Sequence, residues 1–403
     1  MRRRAQVAWV AALGCLVGIA CDLSAQQKQN SNKPIKSTGK PRELDRGIVW
    51  HRDPATGELS AAATGVAGAN NEPLPAGASP LRAVTQVVPV TCIVSAADGA
   101  ALPGLRREDF RVYEDGVERP VAYFDASAAP ASVALVIDAS PSVLRDSQEM
   151  KKAADALIEA LAPLDQAAVV DFSAHTYLQL PFSDVREQIR RAVDRIDVRA
   201  LLGDTGGSNI YQSVYLAAGE LFPGRTGRKA ILLLTDGQDS GLGLTLDSAS
   251  MAPRPGEPGD RLTFDDVVRK LAVEDIQIFA VSTENRPKIM TPEWLAAHAD
   301  RTLVTPAARA EGIPPYTLFL AELVRRAGGQ LYFLYESETL ADTFRKIAEK
   351  IRAEYSLGFY PVSASGGTGA SPGWHSLRIE VPHDAGARVS HRAAYYVPAT
   401  RNP

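Results

Sequence analysis

Cysteine is almost absent from this chain of 403 residues. The three cysteines are Cys15, Cys21 and Cys92, and the first two lie in or beside an N-terminal segment with the features of an export signal. The rest of the chain therefore has no cysteine pair for an intrachain disulfide, which excludes a disulfide-stabilised scaffold. Cys92 lies in the apolar-rich run from Val87 to Val94 and is predicted to be a buried strand residue.

A large excess of either charge is also absent. The chain has 44 Lys and Arg against 47 Asp and Glu, a formal net charge of −3. No basic field favours nucleic acid, so we expect no nucleic-acid partner. The six histidines lack zinc-binding spacing, and there is no Walker loop, G-x-S-x-G elbow or dinucleotide-binding fingerprint. The chain is therefore predicted not to be an enzyme.

Long apolar runs are limited to the N-terminus. Arg2 to Arg4 form a positive head, and the following run from Ala5 to Ala20 is shorter than a typical membrane span. This pattern predicts export to the periplasm, the cell envelope or the medium. Two processing routes stay open: an ordinary signal peptide over residues 1–25, or a lipoprotein signal over residues 1–20. The second would place a lipid anchor on Cys21, the one membrane contact that we expect.

Four further segments differ in composition. Residues 26–83 are rich in Gln, Asn, Lys, Pro, Gly and Ala and predict a disordered tether. Residues 84–127 combine alternating strands with hairpin turns and predict a small β module. Residues 131–355 alternate apolar strands with amphipathic helices, which predicts an α/β fold with a mostly parallel sheet and helices on both faces. Residues 356–400 predict a C-terminal β-hairpin that pairs with the β module.

One apolar strand ends in a set of oxygen ligands. The run from Val133 to Ile137 stops abruptly at Asp138, and hydroxyls follow at Ser140 and Ser142. An unbroken apolar run predicts a strand covered on both faces, as in a parallel sheet. The loop after such a strand is where open α/β folds bind ligands. A carboxylate with two hydroxyls is a hard-oxygen set suited to Mg²⁺ or Ca²⁺.

A second apolar strand, from Ala230 to Leu234, is followed closely by Asp236. Because parallel strands share one C-terminal edge, Asp138 and Asp236 are expected to converge. Between them, the Gly206-Gly207-Ser208 turn opens a helix, with Ser208 as its predicted N-cap and an additional oxygen ligand. In the alternative interpretation, Asp138 and the serines after it only cap the next helix.

Three segments, in this order, resemble the metal-ion-dependent adhesion site of von Willebrand factor type A domains. They are D-A-S-P-S at 138–142, G-S at 207–208 and T-D-G at 235–237. The alternation over residues 131–355 is similar to the Rossmann-like sheet of that family. The resemblance implies direct ligands to a divalent cation from three hydroxyls, and direct or water-mediated ligands from two carboxylates. These residues are Ser140, Ser142 and Ser208, and Asp138 and Asp236.

The resemblance further implies Mg²⁺ as the expected cation, with Ca²⁺ and Mn²⁺ as alternatives. It also implies a protein partner that places an acidic residue on an open coordination position. One departure is Ser208, where the family usually has Thr. Serine keeps the oxygen ligand but lacks the methyl group that restricts the side-chain rotamer. We therefore expect the metal site to be less preorganised at this position. Residues 105–116 and 355–361 resemble segments that flank this domain in exported bacterial proteins of acidobacterial type.

Three functional hypotheses follow. The leading one is a divalent-cation-dependent protein-binding or adhesion module of the cell envelope. The second is a metal-independent envelope scaffold whose site is vestigial. The third, a metal-assisted hydrolase, needs a general base, and Asp239 is the nearby candidate. Asp239 is expected either to lie beside the ion beyond its direct ligands or to cap the insertion at Ser240.

Overall fold

The computed structural model describes residues 41–398, apart from 55, 64–86, 97–98, 128, 144–146, 202–206, 242–259, 299–300, 335–338, 362–369 and 385. The predicted export signal and Cys21 lie outside the described residues. No helix within the described part of the chain is both long and apolar enough to cross a bilayer.

The described residues form strands and helices that largely alternate from residue 131 onward. The strands are β1 (Arg42–Glu43), β2 (Ile48–Arg52), β3 (Leu59–Ala63), β4 (Val88–Ser95), β5 (Arg111–Glu114), β6 (Val117–Arg119), β7 (Tyr123–Asp125), β8 (Ala131–Asp138), β9 (Gln166–Phe172), β10 (Thr176–Ser183), β11 (Arg228–Thr235), β12 (Gln277–Ser282), β13 (Gln330–Phe333), β14 (Tyr355–Phe359), β15 (Gly373–Glu380), β16 (Arg388–His391) and β17 (Ala394–Val397). The helices are α1 (Ser147–Ala160), α2 (Arg186–Leu201), α3 (Ile210–Leu221), α4 (Phe264–Glu274), α5 (Pro292–Ala297), α6 (Pro306–Ala310), α7 (Pro315–Ala327) and α8 (Leu340–Arg352).

A seven-stranded sheet forms the centre of the fold, in the order β1-β10-β9-β8-β11-β12-β13. Strands β9, β8, β11, β12 and β13 run parallel to one another. At one edge β10 pairs antiparallel with β9, and β1 pairs antiparallel with β10. Strand β8 is buried at every residue, as its unbroken apolar run predicts. The predicted α/β class with a mostly parallel sheet is confirmed.

Helices cover both faces of this sheet, so successive residues of β8 pack into different cores. Val133, Leu135 and Ile137 contact the layer formed by α1, α2 and α8. Ala134 and Val136 contact the opposite layer, formed by α3, α4 and α7. A strand covered in this way needs apolar residues at both alternate positions, which explains why its sequence shows no polar alternation.

Strand β8 is also the point at which the direction of chain crossover reverses. The chain passes from β8 to β9 on one side, and later returns through α3 to β11 on the other side. In open α/β sheets this reversal leaves a crevice at the C-terminal ends of the strands, where ligands bind. Asp138 is the last residue of β8, so the topology places it at that crevice.

Strands from both flanks of the α/β region form a β-sandwich. Its two four-stranded sheets have the orders β16-β4-β14-β7 and β17-β15-β5-β6, and they enclose an apolar core. The predicted hairpin between residues 356–362 and 376–381 is wrong. Strand β14 pairs with β4 and β7, whereas β15 pairs with β5 and β17. In this arrangement Leu357 and Phe359 of β14 share one apolar core with Leu377 and Ile379 of β15, between the two sheets.

The predicted tether over residues 26–83 is corrected for residues 41–63, which we call the N-terminal strap. Strand β1 pairs with the edge strand β10 of the central sheet. The Trp50 ring meets that of Tyr215 edge-on at 5.5 Å, and the Tyr215 hydroxyl donates to the carbonyl of Leu59 at 2.7 Å. Arg52 donates to both carboxylate oxygens of Asp266, at 2.9 and 2.6 Å. A few widely spaced anchors therefore hold a segment whose composition is that of a linker.

A histidine within the sandwich core predicts a pH dependence of stability. The Nδ1 of His375 lies 2.7 Å from Oδ2 of Asp115, and its Nε2 lies 2.8 Å from the carbonyl oxygen of Ser371. Both partners are acceptors, so both ring nitrogens donate only in the protonated imidazole. Burial lowers the pKa of His375, but these bonds outweigh it and leave the pKa above its ordinary value. Hydrogen bonds from His375 and Ser376 likewise outweigh burial and lower the pKa of Asp115.

We expect the pair of His375 and Asp115 to contribute most to the free energy of unfolding at pH values between the ordinary pKa values of Asp and His, about 3.9 and 6.5. This contribution should be lost as the pH rises through the folded pKa of His375, and as the pH falls through that of Asp115. Because the Asp115 side chain is 52% exposed, the effect stays below about 1 kcal/mol. Urea unfolding of the wild type and His375→Gln checks this: the stability difference between them should shrink from about pH 6 to about pH 8. An equal difference at both pH values would contradict it.

Candidate functional site

Asp138 stands at the centre of the site and is fully buried. Its Oδ1 accepts the backbone N–H of Ser140 and the hydroxyl of Ser208, each at 3.0 Å. Its Oδ2 accepts the hydroxyl of Thr235 at 2.8 Å. The carboxylate therefore joins three segments: its own loop, the turn before α3 and the end of β11.

The serines of the loop after β8 extend this arrangement toward the surface. Ser140 is buried, Ser142 is exposed, and their hydroxyl oxygens lie 3.0 Å apart. The Ser142 hydroxyl donates to Oδ2 of Asp236 at 2.7 Å. The other oxygen of Asp236 accepts the backbone N–H of Gln238 at 2.9 Å, which fixes the carboxylate at the turn after β11.

One hydrogen-bonded cluster thus contains all of the residues that the sequence predicted to share a site. They are Asp138, Ser140, Ser142, Ser208 and Asp236. Contacts beyond helix capping are present here, because the hydroxyls of Ser142 and Ser208 donate to the carboxylates of Asp236 and Asp138.

Ser208 was predicted to be the N-cap of α3, and this prediction is wrong. The N-cap is Asn209, whose side chain makes no capping bond and donates to the carbonyl of Ala174 at 2.6 Å. Ser208 lies one residue earlier and is directed to the buried carboxylate of Asp138. A buried charged acceptor forms a stronger hydrogen bond than an N-cap interaction does, which explains the change of partner.

Thr235 is a site residue whose role was not predicted. It is fully buried, donates to Asp138, and its hydroxyl oxygen accepts the backbone N–H of Gly237 at 3.0 Å. The signal in the sequence was a hydroxyl at the end of an otherwise apolar strand. Such a residue needs an internal partner once it is buried, and the neighbouring strand ends in Asp138.

The electrostatics of Asp138 favour a nearby positive charge. Burial raises the pKa of Asp138 above its ordinary value, and the charge of Asp236 raises it further, against the hydrogen bonds from Ser140 and Thr235. Among the described residues, no Lys or Arg forms a salt bridge with either carboxylate. Two carboxylates therefore lie close together with only neutral hydroxyl and backbone N–H partners among the described residues, an arrangement that a cation would stabilise.

Asp239 lies beside the cluster but faces α3. Its carboxylate accepts the backbone N–H of Tyr211 at 3.4 Å, and its backbone forms a bridge with Ser208. The negative charge also contributes, after burial, to the raised pKa of Tyr211. This contact places the Asp239 carboxylate at the first turn of α3, where the helix dipole favours negative charge.

A second group of titratable side chains contains Glu43, Asp45 and His175. The Nδ1 of His175 lies 3.2 Å from Oδ2 of Asp45 and 3.8 Å from Oε1 of Glu43. Asp45 also accepts the backbone N–H of Thr176 at 3.2 Å. These contacts hold the N-terminal strap against the β9–β10 turn. The group is an alternative place for a metal ion, which experiments on the first cluster must distinguish.

Part of the α/β region is similar to a known domain family. Residues 133–238 match the sequence model of the von Willebrand factor type A domain family. This stretch of the chain is similar to a type A domain. The match begins in β8 and ends just after Asp236, so it includes all five predicted site residues. Type A domains generally mediate protein–protein interaction and adhesion, and they are typically not enzymes.

Solved structures with a similar chain trace are distant in sequence. An aerotolerance-related membrane protein from Bacteroides fragilis NCTC 9343 is 15% identical, with 55% of this chain and 98% of that chain covered and a TM-score of 0.36. Proximal thread matrix protein 1 from the mussel byssus, with a zinc-occupied MIDAS motif, is 17% identical, with 59% and 49% covered and a TM-score of 0.38. A von Willebrand factor type A protein from Catenulispora acidiphila is 15% identical, with 79% and 75% covered and a TM-score of 0.37. No curated protein matches the chain.

Proposed function

We propose that the type A domain binds a divalent cation at the cluster centred on Asp138 and uses it to bind a carboxylate of a partner protein. The observation that carries this proposal is the convergence of two carboxylates and three serine hydroxyls from three separate loops. All of these ligands are hard oxygens, the donor type that Mg²⁺, Ca²⁺ and Mn²⁺ prefer. The cluster contains no Cys or His, which argues against a zinc site of the usual kind.

The proposed ligands follow the pattern of a metal-ion-dependent adhesion site. The hydroxyls of Ser140, Ser142 and Ser208 would bind the ion directly, and Asp138 and Asp236 would bind it directly or through water. Mg²⁺ is the proposed ion, with Ca²⁺ and Mn²⁺ as alternatives. A bound ion would supply the positive charge for an incoming carboxylate. The exposed Ser142 lies on the side of the cluster that a partner can reach, whereas Asp138 is inaccessible.

Ser208 gives a prediction at the position that departs from the family pattern. Its side chain is buried and its rotamer is held by the 3.0 Å bond to Asp138, which compensates for the missing methyl group of Thr. We expect Ser208→Ala to lower Mg²⁺ affinity by about tenfold, since one oxygen ligand is lost. Ser208→Thr should keep the affinity within about threefold, because its oxygen remains. Isothermal titration calorimetry measures both; equal affinity of the Ala variant and the wild type would remove Ser208 from the site.

A carboxylate probe tests the binding function itself. Short peptides that contain one Asp in a Gly and Ser background are compared with the same peptides carrying Asn. We expect Mg²⁺-dependent binding of the Asp peptides, which chelation by EDTA abolishes, and no such binding of the Asn peptides. Binding that is indifferent to the metal, or equal for the two peptides, would contradict the proposed mechanism.

A metal-independent scaffold is the second candidate, and one observation favours it. The hydroxyls of Ser142, Ser208 and Thr235 all donate to carboxylates within the cluster, so the network is satisfied by the protein alone. Such a network can be purely structural. In that case Mg²⁺ would not bind, and the partner would bind to another surface of the chain.

The proposed location is the bacterial cell envelope or its surroundings. The N-terminal sequence supports export, with either a cleaved signal over residues 1–25 or a lipid anchor on Cys21. The flanking segments support the exported, acidobacterial-type group of type A proteins. A mass measurement of the protein isolated from membranes distinguishes an acylated Cys21 from a chain that begins after Ala25.

A further inference from the structure

A cavity of about 280 Å³ opens directly beside the proposed metal site. Ser142 belongs to both, because its hydroxyl bonds to Asp236 and its side chain lines the cavity. The volume is at the lower limit of ligand pockets, which are typically about 300–1,000 Å³, so it suits one side chain rather than a cofactor. A partner whose carboxylate reaches Ser142 would thus have a neighbouring side chain within reach of this cavity.

The inner wall of the cavity is apolar. Met150 of α1, Leu234 of β11 and Leu340 of α8 are buried, and Leu334 after β13 is half-buried. These residues would contact the methylene groups of a long side chain, as the stems of Lys and Arg pack on apolar surface while their charged ends stay near water.

The charged groups of the lining are acidic. Glu149 and Glu284 line the cavity, and none of the described lining residues is basic. The first turns of α1 and α8 also lie here, and Glu149 offsets their partial positive charge by accepting the N–H of Leu340 at 3.3 Å. Glu284, half-buried after β12, accepts from the side chain of Gln238 at 3.4 Å and keeps further lone pairs for another donor.

Tyr316 is a residue on which carboxylates of both the cavity and the proposed metal site act. The pKa of Tyr316 is raised, first by burial and then by the charges of Glu284 and Asp236. The carboxylates of the cavity and of the proposed metal site therefore both lie close enough to Tyr316 to affect it. A bound divalent cation and the carboxylate of a partner would partly neutralise the Asp236 side, while Glu284 would remain for a second, positively charged group.

We propose that this cavity binds a lysine or arginine side chain of the partner, close in sequence to the carboxylate that binds the metal, with Glu284 as the specificity-determining residue. The proposal rests on the proposed metal-dependent function and adds the chemistry of the ligand: an acidic residue with a basic residue near it. The stem occupies the apolar wall, and the cation pairs with the Glu284 carboxylate.

Peptides that differ at one position test this inference on the purified protein in Mg²⁺. Each has one Asp and, one to four residues away on either side, Lys, norleucine or Glu, in a Gly and Ser background. We expect the best Lys peptide to bind about tenfold more tightly than its norleucine counterpart, since a charge-assisted bond in a half-buried site is involved. In Glu284→Gln the Lys advantage should fall below about threefold, while the affinities for Mg²⁺ and for the norleucine peptide stay unchanged.

Glu159→Gln is the matched control, because it removes the same charge from an exposed position of α1 outside the cavity. It should keep the full preference for Lys. Equal binding of Lys and norleucine peptides by the wild type, or a preference for Glu, would overturn the cavity proposal while metal-dependent binding of Asp still supports the proposed function. Failure of the Asp peptides to bind in a metal-dependent way would instead overturn the proposed function and, with it, this inference.

Discussion

Asp138→Ala is expected to lower the affinity for Mg²⁺ by more than about 100-fold, because loss of even an indirect partner of a metal ligand typically costs 10–100-fold. The substitution removes the carboxylate that orients Ser208 and accepts from the loop of Ser140. Calorimetric titration of Mg²⁺, Ca²⁺ and Mn²⁺ measures the effect. The far-ultraviolet circular dichroism should be unchanged, since the apolar residues that fill the two cores are untouched.

Two further variants make this result specific. Asp138→Asn keeps the volume of the side chain and an oxygen acceptor, so a similar loss of affinity would assign the effect to the charge. Asp45→Ala removes a carboxylate from the alternative group that contains Glu43 and His175, and should leave Mg²⁺ affinity unchanged. Retention of binding in Asp138→Ala with loss in Asp45→Ala would place the ion at the strap and contradict the proposed site.

Arg228→Met is expected to destabilise the protein by about 3–5 kcal/mol, the usual consequence of removing one partner from a buried ion pair. Arg228 is buried at the start of β11 and donates to three carbonyl oxygens, those of Ser127, Arg352 and Glu354, at 2.7–3.0 Å. Its Nε lies 3.8 Å from the buried carboxylate of Glu354. The side chain therefore connects the α/β region to the chain segments that enter the sandwich.

The destabilisation should depend on pH. Burial raises the pKa of Glu354 well above its ordinary value, while Arg228 opposes this shift. Without Arg228 the folded-state pKa rises further, so stability is lost as the pH rises through it. Denaturant unfolding should show a larger loss at about pH 8 than at about pH 5. Arg190→Met is the control: its pair with Asp155 is exposed, and we expect a loss below about 1 kcal/mol. A loss of that size for Arg228→Met would contradict the structural role.

The central sheet and the cluster could be predicted because each depends on local signals. The apolar runs of β8 and β11 have no polar alternation, and the residues that follow them carry the oxygen ligands. Parallel strands bring these ends together without further information, so Asp138 and Asp236 converged as expected. The role of Thr235 could not be predicted, because it depends on Asp138 at the end of the adjacent strand. The sequence around Thr235 does not indicate that contact.

The strap and the sandwich could not be predicted in the same way. The pairing of β1 with β10 joins residues more than a hundred positions apart, and the strap has too few apolar residues for a periodic signal. Strands β14 and β15 alternate as a hairpin would, but they pair with strands of the segment before the α/β region. Such long-range pairing is decided by which apolar faces can be buried together, and local pattern does not specify it.

Diffraction from crystals grown with Mn²⁺, recorded at the manganese absorption edge, tests the central claim most directly. We expect one strong anomalous peak within direct ligand distance of the hydroxyl oxygens of Ser140, Ser142 and Ser208, and no such peak in crystals of Asp138→Ala. A peak between Glu43, Asp45 and His175 instead, or no peak at either place at saturating Mn²⁺, would contradict it.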